Sequence, residues 1–159
     1  MFDEYSFPSF MWWLILLVIS KTNVFMCIQA YNRTNMTSTY QYFIKLLALP
    51  YVFECVYRSL FPADYPTRTV FWDTALNSVL IQRCFAAIGE SCLVLQVVIA
   101  LCFIISEMNS SEKLLQTMIA STFIINCISQ IVSTWSCITG RQFGFFVEAI
   151  FWMYMIGIW

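Results

Sequence analysis

Ala75-Leu-Asn-Ser-Val-Leu-Ile-Gln-Arg-Cys-Phe-Ala-Ala-Ile-Gly-Glu-Ser-Cys-Leu-Val-Leu-Gln-Val-Val-Ile-Ala-Leu-Cys-Phe-Ile-Ile-Ser106 decides the fold. This run is about thirty residues long, and a helix of about 20 already crosses a bilayer. Arg83 and Glu90 are its only charged members, and it contains no proline. It reads as a transmembrane helix longer than the hydrocarbon requires, and therefore tilted or protruding.

Working outward, the same reading applies to four other segments. Upstream, Ser9 to Ser20 is too short alone, so the first span continues through Lys21-Thr-Asn23 to about residue 29. The acidic start at Asp3 and Glu4 argues against a cleaved signal peptide, which needs a basic leader and a small-residue cleavage site. The second span covers 42–60 with Pro50 in its middle. Proline removes one backbone donor and leaves the Leu46 carbonyl without its usual partner, so a kink is expected there. Pro62 to Thr69 reads as a loop, and Asp73 or Thr74 can cap the helix that follows.

Downstream, Asn109-Ser-Ser-Glu112 resembles a capping box and opens a fourth helix over 113–138. A fifth run, 143–159, is barely a span; it is either a short helix ending in the far headgroups or part of something longer. The expectation is an all-α, polytopic transmembrane bundle of about five spans (8–29, 42–60, 75–106, 113–138, 143–159), forming one domain over 1–159 with no soluble domain.

Composition agrees. Of 159 residues, 60% are apolar and 11% charged, against about 25% charged in a globular norm. Eight basic and nine acidic residues could not coat a water-soluble fold of this size. A net charge of −1 offers no field for nucleic acid. The absence of histidine removes bis-His haem, most catalytic zinc sites and the Ser-His-Asp triad. No phosphate loop, dinucleotide fingerprint or metalloprotease pattern occurs, so an enzyme is disfavoured and no metal is expected.

Five spans place loops 61–73 and 139–142 on the side of the N-terminus, with Arg58, Arg68 and Arg141, against Arg33 and Lys113 opposite. The positive-inside rule then sets the N-terminus in the cytoplasm, matrix or stroma. Three N-x-S/T matches, at Asn32, Asn35 and Asn109, fall on the external side as glycosylation requires. Hydroxyl-rich loops also generate such matches by chance, and Asn109 has a capping role.

Charges at membrane depth are costly and are usually paired or line a cavity. Counted inward from the helix ends at about 1.5 Å per residue, Glu54, Arg83 and Glu148 share one layer. The expected arrangement is an inner-leaflet polar cluster with Arg83 between Glu54 and Glu148. Arg58 and Arg141 lie near its boundary, and Glu90 is an odd member about two turns deeper. With no cation in reach Glu90 would be neutral and proton-carrying, whereas contact with Arg83 would keep it charged. Such a cluster is a packing knot, a proton or ion path, or a partner-binding feature.

Thr122, Asn126, Ser129, Gln130 and Ser133 recur at spacings of three and four, one polar stripe that should face other helices. Ala86, Ala87, Gly89 and Ser91 permit close approach near Glu90, and Gly144 does so one turn before Glu148. Seven cysteines all fall within predicted helices, without metal or disulfide spacing. The aromatic fifth helix suits contact with lipid, pigment, quinone or another subunit, and no cofactor is predicted. These features point to a structural or accessory subunit of a larger membrane complex; the alternative is a small transporter or proton/ion pathway built on the same charges.

Overall fold

The computed structural model describes residues 7–33, 39–64, 69–70, 72–107 and 113–158. Among the described residues there are five α-helices: α1 (Phe7–Arg33), α2 (Thr39–Leu60), α3 (Val79–Glu107), α4 (Lys113–Thr139) and α5 (Phe143–Ile158). It is an all-α helical bundle. Each helix packs on its neighbour in sequence, α1 on α2, α2 on α3, α3 on α4 and α4 on α5. Neighbours run antiparallel: Tyr40 at the start of α2 stacks on Phe103 at the end of α3, with centroids 4.4 Å apart, while Tyr57 at the other end of α2 meets Phe85 near the start of α3, also at 4.4 Å.

Helices α1, α3 and α4 are long and apolar enough to cross a membrane. The α2 helix is not among them, since it carries Lys45, Glu54 and Arg58, and α5 is apolar but shorter, at 16 residues. The outward surface is largely apolar. Trp12, Val18, Phe25 and Met26 of α1, Ile124 and Ile131 of α4, and Met153 and Ile156 of α5 are all exposed, as a lipid-facing surface allows.

Three boundaries differ from the sequence expectation. The first helix runs on through Arg33, because Tyr31 and Asn32 complete a last turn that reads as loop by polarity alone. Helix α2 begins three residues early and continues as helix on both sides of Pro50. The side-chain donor reaching its backbone, Gln96 Nε2, takes the Ile44 carbonyl at 2.7 Å rather than that of Leu46. The third helix does not begin at Ala75. Ala75–Asn77 is a separate 3-10 turn, with Thr74 accepting the Asn77 N–H at 3.3 Å, and Ser78 is extended. The Ser78 hydroxyl then accepts the Ile81 N–H at 3.2 Å and caps α3. Within the preceding loop Ala63–Asp64 pairs antiparallel with Thr69–Val70, a two-residue bridge. The capping box at 109–112 lies outside the described residues.

That 3-10 turn is locked from three sides. The Gln82 amide, buried, donates to both the Phe61 carbonyl and Asn77 Oδ1, and Asn77 Nδ2 donates to the Trp72 carbonyl at 2.9 Å. The Tyr57 hydroxyl donates to the Leu76 carbonyl. Buried amides need such partners, so Phe61, Trp72 and the 3-10 turn are tied to Gln82 and the start of α3 is placed against the end of α2.

Candidate functional site

The close approach of the helices begins with residues that lack side-chain bulk. A Cβ at Gly89 would lie 2.6 Å from Glu54 Cβ and 2.9 Å from its Cγ, so the Glu54 side chain crosses α3 only because position 89 is glycine. Gly144 leaves room in the same way for Ser136 and for the Val132 carbonyl, at 3.1 Å. These two contacts bring α2 onto α3 and α5 onto α4, and between them the charges meet.

Arg58 Nη1 lies 2.9 Å from Glu54 Oε1, one helical turn away, and 3.7 Å from Glu90 Oε1 on α3. Arg83 Nη1 lies 4.0 Å from the same Glu90 oxygen, and its Nη2 lies 2.6 Å from Glu148 Oε1 on α5. The order is therefore Glu54, Arg58, Glu90, Arg83, Glu148. Side chains of Glu54 and Arg83 are 3% exposed, Glu90 16% and Arg58 43%.

This corrects two expectations. Arg83 bridges Glu90 and Glu148 rather than Glu54 and Glu148, and Glu54 belongs to Arg58. Glu90 is the centre of the chain of charges rather than its outlier, because Arg83 and Glu90, seven residues apart on α3, reach along one face toward each other. Arg141 stands apart, its guanidinium 5.5 Å from the Trp135 ring centroid on an exposed surface.

Helix α4 supplies the neutral half of the site. Thr122, Asn126, Ser129, Gln130 and Ser133 are all buried, as is Ser136, which the sequence reading did not include although it continues the same spacing. Gln130 is the hub. Its Oε1 accepts Arg83 Nη2 at 2.6 Å, and its Nε2 donates to Glu90 Oε2 at 2.8 Å and to Asn126 Oδ1 at 3.4 Å. Asn126 Nδ2 donates to Ser91 Oγ at 3.1 Å, and the Ser133 hydroxyl donates to Glu148 Oε2. Ser136 and Thr122 return their hydroxyls to their own helix, to the Val132 carbonyl at 3.0 Å and the Met118 carbonyl at 3.2 Å. Ser129 Oγ and Arg83 Nε have no hydrogen-bond partner among the described residues.

A groove of about 390 Å³ reaches this network where α1, α2, α3 and α5 converge, bordered by Glu54, Arg58 and Glu90 and by Ser20, Tyr51 and Trp152. Of the remaining sequence candidates, Asn32 is exposed in the last turn of α1, and Asn35 and Asn109 fall outside the described residues. Lys45 donates to the Tyr31 carbonyl at 3.1 Å and lies 5.1 Å from that ring's centroid. No disulfide forms among the described cysteines. Sequence reasoning missed Gln82, Asn77 and Tyr57; the signal available was an amide three residues into an otherwise apolar helix.

The fold and this network define a membrane-type helical bundle with a largely buried chain of alternating charges. Compared with known proteins, it matches no family model, no curated protein and no solved structure. What it does must therefore be read from the geometry.

Proposed function

We propose that the chain is a multi-pass membrane protein, crossing five times, that serves as a structural or accessory subunit of a larger membrane assembly. The observation that carries this reading is the pairing of its carboxylates across the helix interfaces: each of Glu54, Glu90 and Glu148 has a guanidinium within 4.0 Å. A carboxylate held between arginines and amides ties helices together and is poorly suited to releasing a proton. The largely apolar exterior supports the same reading, since it suits lipid and neighbouring helices. On this reading the N-terminus lies on the cytoplasmic, matrix or stromal side.

The test is the mass of the particle in which the native protein travels after mild detergent extraction, read by native electrophoresis with mass spectrometry. Migration in a large assembly with other membrane proteins is expected. Migration as a monomer or small homo-oligomer overturns the subunit reading.

A second reading is favoured by one observation: Glu54 and Glu90 border the 390 Å³ groove. A proton or ion pathway would use them, with the Pro50-bearing α2 as its moving part. Flux across proteoliposomes that Glu90→Gln abolishes would establish it, and absence of flux in the unaltered protein would end it.

A further inference from the structure

Two grooves meet along α1. The larger, about 640 Å³, runs between α1 and α2 and is walled largely by apolar groups, Met26, Ala30, Ile44, Ala48 and Val52 among them. The smaller is the 390 Å³ groove bordered by Glu54, Arg58 and Glu90. Asn23, Tyr51 and Cys55 border both, so the two make one cleft with an apolar arm and a charged end. Each part has the size of a small-molecule site, roughly 300–1,000 Å³.

The charged end is not balanced. Among the described residues the network sets three carboxylates against two guanidiniums, leaving one negative charge in excess. Glu90 lies between the two arginines, with guanidinium nitrogens at 3.7 and 4.0 Å. Glu54, Glu90 and Arg58 border the cleft, so two carboxylates face it against one guanidinium and the excess negative charge is presented there. Excess negative charge at a low-dielectric cavity draws a counter-charge, and Tyr51 and Trp152 on the same lining are of the side-chain type that favours organic ammonium ions.

We infer that this cleft is a binding site for a single-chain amphiphile with a cationic, ammonium-type head. The tail occupies the apolar arm between α1 and α2, and the head sits against Glu90 and Glu54. An anionic head would meet the excess negative charge, and a bare inorganic cation would leave the apolar arm unused. The cleft lies within one chain, so the inference stands apart from the subunit reading.

The experiment is calorimetric titration of the purified chain in non-ionic detergent with dodecylammonium, dodecanol and dodecanoate, matched in tail and different in head. Saturable binding of dodecylammonium at least tenfold tighter than either other probe is expected. Ala48→Trp, which fills the apolar arm and leaves Glu54, Arg58 and Glu90 in place, should weaken it tenfold or more, as should Glu90→Gln. Should Glu90→Gln fail to fold, the Ala48→Trp comparison decides. Equal affinity for the three heads, preference for dodecanoate, or unchanged binding in Ala48→Trp overturns the proposal. So does equally tight binding of tail-less methylammonium, which would mark a simple cation site.

Discussion

A methyl group added at Gly89 would lie 2.6 Å from Glu54 Cβ, and neither partner can yield easily, because Glu54 is held by Arg58 and position 89 is in mid-helix. Gly89→Ala should therefore destabilise the bundle by about 1–3 kcal/mol, the usual cost of overpacking. Gly157 has nothing within 4 Å of a built Cβ, so Gly157→Ala should be neutral or stabilising by up to about 1 kcal/mol through helix propensity. Thermal unfolding of both variants in the same detergent checks the contrast, and equal losses would mean that Gly89 is not a packing device. Ser129 makes the opposite case. Its buried hydroxyl lacks a partner among the described residues, so Ser129→Ala should cost nothing or stabilise by about 1 kcal/mol, and a clear loss would reveal a partner such as buried water. At this scale the sequence was informative about identity and poor about pairing. Glu54, Arg58, Arg83, Glu90 and Glu148 are legible as charges in apolar runs, but depth counting cannot tell which guanidinium reaches which carboxylate. Side chains of Arg and Glu extend along the helix by more than the layer spacing used to sort them.

Helices are the level at which sequence and structure agree best. Apolar length finds α1, α3 and α4, and the three-and-four spacing finds the buried face of α4, because both follow from helix geometry alone. What was illegible is local and irregular: the 3-10 turn at Ala75–Asn77 depends on Gln82, Phe61 and Trp72, residues distant enough in sequence that no periodicity links them. Between helices, the tie of α3 to α5 rests on Arg83 and Glu148. Arg83→Leu or Glu148→Leu alone should destabilise by about 3–5 kcal/mol, since each strands a buried charge. The double variant should recover part of that loss. A double-mutant cycle of unfolding free energies reads the coupling, and a double variant no more stable than either single one would dissolve the pairing.

Over the whole molecule burial is uneven. In α1 the described side chains are mostly exposed, with Ser20 buried, and no member of the charge network lies on it. Helix α4 packs on both α3 and α5 and buries its entire polar stripe. Local stability follows such differences. Hydrogen exchange in detergent should show α1 amides exchanging before those of α3 and α4, and uniform protection would indicate that α1 is clamped by more than α2.

The polar seam of α4 also bears on how the chain enters a membrane. Of the three helices long and apolar enough to cross, α4 is the least apolar, and the groups that lower its apolarity are the ones that bond α3 and α5. Alone at the moment of synthesis it would expose Asn126, Gln130 and the serines to hydrocarbon, a state that insertion penalises. Beside α3, Ser91, Arg83 and Glu90 already offer partners. If the chain crosses a membrane as proposed, α3 and α4 would then be delivered as a hairpin, with α3 as the receiver for α4, and the charges that look costly in the finished molecule would be the means by which its least membrane-ready segment is accepted.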